Sequence, residues 1–200
     1  MKTESIIRVL DSIFGKIDSF SDEELNSVDT LLVSRFGFDK KVQEVDFNDL
    51  VNFPNLNTLT IDGCMLDIAT IKLISSLLNL KKIYLYNCEV VEDIYDVFNE
   101  LNIKELCLSN TDFDISRLTG KYDRLQLEGI NLKKVNCKVS IFDIFGCEIK
   151  DINELLECNY DTIVISPLQY ISNQLLFDDS NKKIIVMEEN GQFVSKKVGF

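Results

Sequence analysis

The sequence predicts an α/β fold in which repeated units each contribute one short strand to a parallel sheet and return through a helix or extended chain. Three observations predict it. Apolar residues recur with one eleven-residue spacing, in copies that start at Leu56, Leu80, Ile103, Tyr122, Val139 and Tyr160. Within each copy apolar and polar positions alternate over about five residues, the period of a strand with one buried face. Between the longer-spaced copies, apolar residues shift to helical spacing, as at Ile68, Ile71, Ile74 and Leu77.

In the first full copy Leu56, Leu59, Ile61, Cys64 and Leu66 are spaced L-x-x-L-x-L-x-x-C-x-L. Leu80, Ile83, Leu85, Cys88 and Val90 repeat it, as do Ile103, Leu106, Leu108, Thr111 and Phe113. Weaker copies are Tyr122, Leu125, Leu127, Ile130 and Leu132; Val139, Phe142, Ile144, Cys147 and Ile149; and Tyr160, Ile163, Ile165, Leu168 and Tyr170. Over about residues 42–188 this pattern resembles that of leucine-rich repeat proteins. The resemblance implies a solenoid, or horseshoe, with a concave parallel sheet, and a protein-recognition scaffold that does no chemistry. It names no partner, because one such fold hosts many functions.

The remaining elements follow in order. Ile6, Val9, Leu10, Ile13 and Ile17 have helical spacing over residues 4–18, with Thr3 as N-cap. Ser21 and Glu24 have the spacing of a capping box, which predicts a second helix with Leu25, Val28, Leu31 and Leu32 as its apolar stripe and Gly37 as its stop. Residues 1–41 are thus expected to form an N-terminal helical cap that covers the first repeat. Val42, Val45 and Phe47 to Leu50 read as a truncated repeat that opens the repeat region, 42–181. The two long repeats predict return helices over Ile68 to Leu78 and Val91 to Leu101, and Ile152, Leu155 and Leu156 predict a short one. The returns DISRLTGK and KKVNCK are too short for two helical turns. Residues 182–200 are expected to be a C-terminal hairpin cap: KKIIVM reads as a strand, Asn190-Gly191 as a turn, and 192–197 as the returning strand.

Composition restricts function. The net charge of -12 argues against a nucleic-acid backbone as ligand and suits a basic protein partner, although solubility also explains it. No apolar run reaches membrane-span or signal-peptide length, so no membrane is expected and the localisation expected is cytoplasmic, the alternative being translocation by a route with no cleaved signal. Six cysteines without C-x-x-C spacing agree with a reducing compartment. The chain has no histidine, which removes Ser-His-Asp and Cys-His catalysis and imidazole zinc sites. No phosphate, dinucleotide or calcium loop is present, so no enzyme activity, metal or cofactor is expected. Cys64, Cys88 and Cys147, at the ninth repeat position, read as inert core. Cys107 falls at an outward position, where a thiol beside Glu105 and without a base would be a poor nucleophile.

The outward strand positions form the candidate site. Tyr84 and Tyr86 are aromatic anchors of the kind enriched at binding hot spots, and Ile141 and Phe145 form a second apolar spot three strands later. Lys82, Glu105, Arg124, Glu128 and Asp143 make a charged band between them. The expected function is therefore protein binding on the concave sheet by a monomer or weak homo-oligomer. The alternatives are an acidic inhibitor, of the immunity-protein type, that masks a basic toxin or nuclease, and a purely structural homo-oligomer.

Overall fold

The structure, a computed structural model, describes residues 1–36, 42–132, 134–178, 182–187 and 193–196. It divides into two compact units, 1–103 and 104–200. In both, the strands of the main sheet stand in chain order, paired in parallel except at the last.

In the first unit, helix α1 (Glu4–Phe14) ends on Gly15 in the left-handed conformation. Thr3 does not cap α1 with its side chain. Its hydroxyl instead bonds the backbone of Asp46, and the Lys2 and Thr3 N–H groups donate to the Asp49 carboxylate at 2.8 and 2.7 Å. The capping box at Ser21 and Glu24 forms as expected, but α2 (Asp22–Asn26) is only five residues long. Strand β1 (Thr30–Ser34) follows where a continued helix was expected, and it pairs in parallel with β2 (Thr58–Asp62), Leu31 opposite Leu59 and Val33 opposite Ile61. The helical stripe through Val28, Leu31 and Leu32 is thereby corrected. Val28, Leu31 and Val33 occupy the spacing of Leu56, Leu59 and Ile61 and are buried with them.

β2 pairs with β4 (Lys82–Tyr86), Leu59 beside Ile83 and Ile61 beside Leu85. Each inward aliphatic side chain contributes about 1.5–3 kcal/mol on burial. Beyond these strands lies a small parallel pair, β3 (Met65–Leu66) and β5 (Glu89–Val90). Residues 42–52 are not a truncated repeat. They hold a bridge at Val42 and a 3-10 turn, Phe47–Asn52, that acts as the return after β1, with Leu50 and Phe53 buried in the core. Helix α3 (Ile68–Ser75) starts where expected, with its N-terminus capped by Asp67, and ends three residues before Leu78. Helix α4 (Tyr95–Phe98) is much shorter than the stretch expected from Val91 to Leu101. Gly37 lies outside the described residues.

In the second unit β6 (Glu105–Ser109), β7 (Lys121–Glu128), β8 (Lys138–Gly146), β9 (Asn159–Ile165) and β10 (Lys183–Met187) run parallel, each paired with the next. β11 (Phe193–Lys196) pairs antiparallel with β10, and the Asn-Gly turn lies outside the described residues. Among the described residues the short returns carry a 3-10 turn, Ile115–Arg117, and no helix of greater length, and α5 (Ile152–Glu157) forms where a short helix was expected. The last copy of the repeat breaks at its ninth position. Ser166 caps α6 (Pro167–Ser172) through a capping box with Gln169, and α7 (Gln174–Asp178) follows. Leu168 therefore projects 74% exposed on a helix and does not line the core.

The chain leaves four strands, β2, β4, β6 and β7, through a left-handed residue at the eighth repeat position: Gly63, Asn87, Asn110 and Gly129 all have φ between 50° and 68°. Glycine and asparagine adopt this conformation at least cost. Its purpose is visible in the ladder, where the Gly63 N–H donates to the Tyr86 carbonyl at 2.9 Å and the Asn110 N–H to that of Glu128 at 2.9 Å. An asparagine just before the repeat start ties coils together similarly: Asn55 Nδ2 donates to the Asn26 carbonyl and Asn79 Nδ2 to that of Pro54.

Candidate functional site

On the outward face of the first unit, the parallel register sets side chains in rows. Thr30, Thr58 and Lys82 form one row, Leu32, Thr60 and Tyr84 the next, and Ser34, Asp62 and Tyr86 the third. Lys82, Tyr84 and Tyr86 are half-buried, as an outward side chain flanked along the strand should be, and Leu32 is 40% exposed. Asp62 organises the third row. Its carboxylate accepts from the Ser34 hydroxyl at 3.2 Å and from Asn87 Nδ2 at 2.9 Å, so it is a structural acceptor. Leu32 and Ser34 are absent from the expected site because the capping box at Ser21 and Glu24 predicts a helix over β1. The Val28-x-x-Leu31-x-Val33 spacing is the signal that would have found them. Helix α1 covers the open edge of β1, where the Ser34 N–H donates to the Ser5 hydroxyl at 3.0 Å.

On the second unit the rows are Glu105, Arg124, Ile141 and Thr162, then Cys107, Gln126, Asp143 and Val164. In the first, Arg124 and Ile141 are exposed, Ile141 at 38%. The second is largely sunk between its neighbours, which corrects two expectations. Asp143 is not an exposed member of a charged band: it is 3% exposed and ion-pairs with Arg124 at 2.5 Å, while its other oxygen accepts from the Phe145 N–H at 3.3 Å. Cys107 is not an exposed thiol but a buried one, 2% exposed, because a short side chain in the middle row lies below its neighbours. Phe145 is half-buried at a β-bulge, where the register slips so that Glu128 faces Gly146. A side chain at Gly146 would collide with Glu128, so the slip needs glycine there. Glu128 is exposed and accepts from the Ser109 hydroxyl at 3.1 Å, and Glu105 is half-buried.

The six cysteines are free and buried. Burial pushes the Cys64 thiol up to about 12, the Cys88 thiol to about 11 and the Cys137 thiol to about 12, and raises Cys147 and Cys158 as well. These groups stay protonated near neutral pH and have little nucleophilic character. Among the described residues, no group of three His, Cys, Asp or Glu side chains could hold a metal ion, and no helix is long and apolar enough to cross a membrane.

The units are therefore α/β assemblies whose parallel strands present a mixed aromatic, aliphatic and charged outward face. Among solved structures the chain is similar to the crystal structure of an internalin from Listeria monocytogenes, with 17% identity over 93% of this chain and 68% of that one and a TM-score of 0.47. No protein-family model and no curated protein matches the chain.

Proposed function

We propose that this chain is a non-catalytic protein-recognition module of the leucine-rich repeat kind, which holds a protein partner on the outward faces of its strands. The observation that carries this reading is the set of rows in the first unit, where Leu32, Tyr84 and Tyr86 offer apolar and aromatic area on a rigid parallel sheet beside Lys82. Tyr and exposed aliphatic side chains there can be buried by a partner at little entropic cost, because the strands are already ordered. In the second unit Ile141 and Phe145 act as further anchors, and Glu105, Arg124 and Glu128 supply polar contacts. Asp143, buried against Arg124, serves by holding that guanidinium in place. Six free thiols suit a reducing cytoplasm.

The test is the double substitution Tyr84→Ala and Tyr86→Ala. We expect an unchanged circular dichroism spectrum and loss of the partner that the unaltered chain captures from its host, with each truncation costing about 2 kcal/mol of binding if these are hot spots. Capture undiminished in a folded double variant would overturn the assignment of the anchors.

A further inference from the structure

Four of the six buried cysteines stand in two facing pairs. In the first unit Asp62 pairs with Tyr86 and Met65 with Glu89, which sets Cys64 opposite Cys88 on consecutive coils. In the second unit Lys138 pairs with Asn159 and Val139 with Tyr160, so one step earlier Cys137 meets Cys158. Neighbouring strands lie about 4.8 Å apart, inside the Cα window of roughly 4.4–6.8 Å that a disulfide spans. Cys107 differs, since it faces Gln126 on β7.

The second pair is the better placed to react. Cys158 is the first residue past α5, and its sulfur accepts the Val135 N–H at 3.2 Å, which holds it over the segment that leads into Cys137. Burial raises both thiols, but at Cys158 the Val135 N–H and the ammonium groups of Lys134 and Lys182 oppose that shift. Cys158 is therefore the thiol of the pair that ionises more readily. The charge that acts on both Cys64 and Cys88 is the Asp62 carboxylate, which works against ionisation. Cys158 is 3% exposed and Cys137 1%, so a reagent reaches them when α5 frays, and a helix of six residues opens at little cost.

We propose that Cys137 and Cys158 are a redox-responsive staple, which rests as two thiols and closes to a disulfide on meeting a small-molecule disulfide such as oxidised glutathione. The Cys158 thiol gives up its proton and its sulfur attacks one sulfur of the reagent. The reagent's S–S bond breaks, and one half leaves as a thiolate that takes up that proton. Cys137, deprotonated in turn, attacks the Cys158 sulfur and displaces the other half, which leaves as a second thiol. The pair thus loses two protons and two electrons, and the reagent becomes two thiols. The new bond ties β8 to β9 at their N-terminal ends and does not depend on what the outward rows bind.

The test incubates the full reduced chain with oxidised glutathione at about pH 8, alkylates the remaining thiols and maps linked peptides by mass spectrometry. We expect the Cys137–Cys158 link to form at least about tenfold faster than Cys64–Cys88. The linked chain should melt about 5 °C higher, because the bond closes a loop in the unfolded state. Cys137→Ala should leave glutathione attached to Cys158, whereas Cys158→Ala should leave Cys137 unmodified over the same time. The proposal is overturned if Cys64–Cys88 closes first, if glutathione adducts never resolve into the Cys137–Cys158 link, if that link forms only once urea has unfolded the chain, or if the linked chain melts below the reduced one. All four results are read on the unaltered chain.

Discussion

Asp143 shows how far residue identity can be trusted at the scale of one side chain. Alternation along β8 places it outward, and it is outward, yet it is buried, because exposure in the middle of a sheet depends on the side chains of the neighbouring strand, here Arg124, and on a bulge, neither of which single-strand periodicity encodes. Its carboxylate depends on Arg124 and on the Phe145 N–H. Removing the guanidinium leaves a buried acceptor short of one charged partner, so Arg124→Ala should lower stability by about 1–3 kcal/mol in urea unfolding, and the further change Asp143→Ala should recover part of that loss. A double variant less stable than the two single losses combined would show that the pair is not coupled in this way. The thiols give a second prediction at this scale. Burial holds their folded-state values above that of an exposed thiol, so the unfolded chain releases protons first as pH rises. The stability they contribute is fully present below about pH 9 and is lost progressively towards pH 11–12. Thermal melts between pH 8 and 11 should fall, and a series with Cys64, Cys88 and Cys137 replaced by Ala should fall less steeply from its own lower starting point.

At the scale of the element, the main-sheet strands β2, β4, β6, β7, β8 and β9 were legible because each is written twice, once in its inward alternation and once in the repeat spacing. β1 carries the same spacing, but a true helix signal stands directly before it, and the capping box at Ser21 and Glu24 drew the reading past Asn26, where the helix stops. The returns were less legible for a different reason. Apolar spacing specifies which side chains face the core but not how many turns the chain needs to bring them there, so α4 completes one turn where a longer helix was compatible with the same residues. The eighth position is the device that the eleven-residue apolar pattern hid, since it is neither apolar nor constant. At Gly129 the backbone has φ +61° and an added Cβ would meet the Asn110 side chain. Gly129→Ala should therefore cost about 1–2 kcal/mol through left-handed strain, plus the displacement of Asn110. Gly120→Ala, also at positive φ but with open space around it, should cost only the strain, so urea midpoints for the two variants separate the contributions.

At the scale of the whole molecule the dominant quantity is charge, which composition states without any structure: 33 acidic side chains against 21 basic ones. What composition leaves open is whether that charge binds or only steers. The outward rows argue for steering, because their acidic side chains Asp62, Asp143 and Glu128 are occupied by hydrogen bonds or ion pairs within the sheet, while Leu32, Ile141 and the half-buried tyrosines offer apolar area to a partner. Diffuse negative charge speeds the approach of a basic partner, and screening weakens that attraction beyond about 8–10 Å at ordinary ionic strength. Contacts by desolvated aromatic rings are set after encounter and appear in the dissociation rate. For the partner captured by the unaltered chain, raising salt from 50 mM to 500 mM should thus cut the association rate about tenfold or more and leave dissociation nearly unchanged. Tyr84→Ala with Tyr86→Ala should do the opposite, quickening dissociation with little effect on association. An inhibitor that works by masking a cationic surface would behave differently, since its ion pairs hold the complex together and salt would then accelerate dissociation as well. Surface plasmon resonance at the two ionic strengths, with both forms of the chain, distinguishes an aromatic-anchored scaffold from a charge-matched inhibitor.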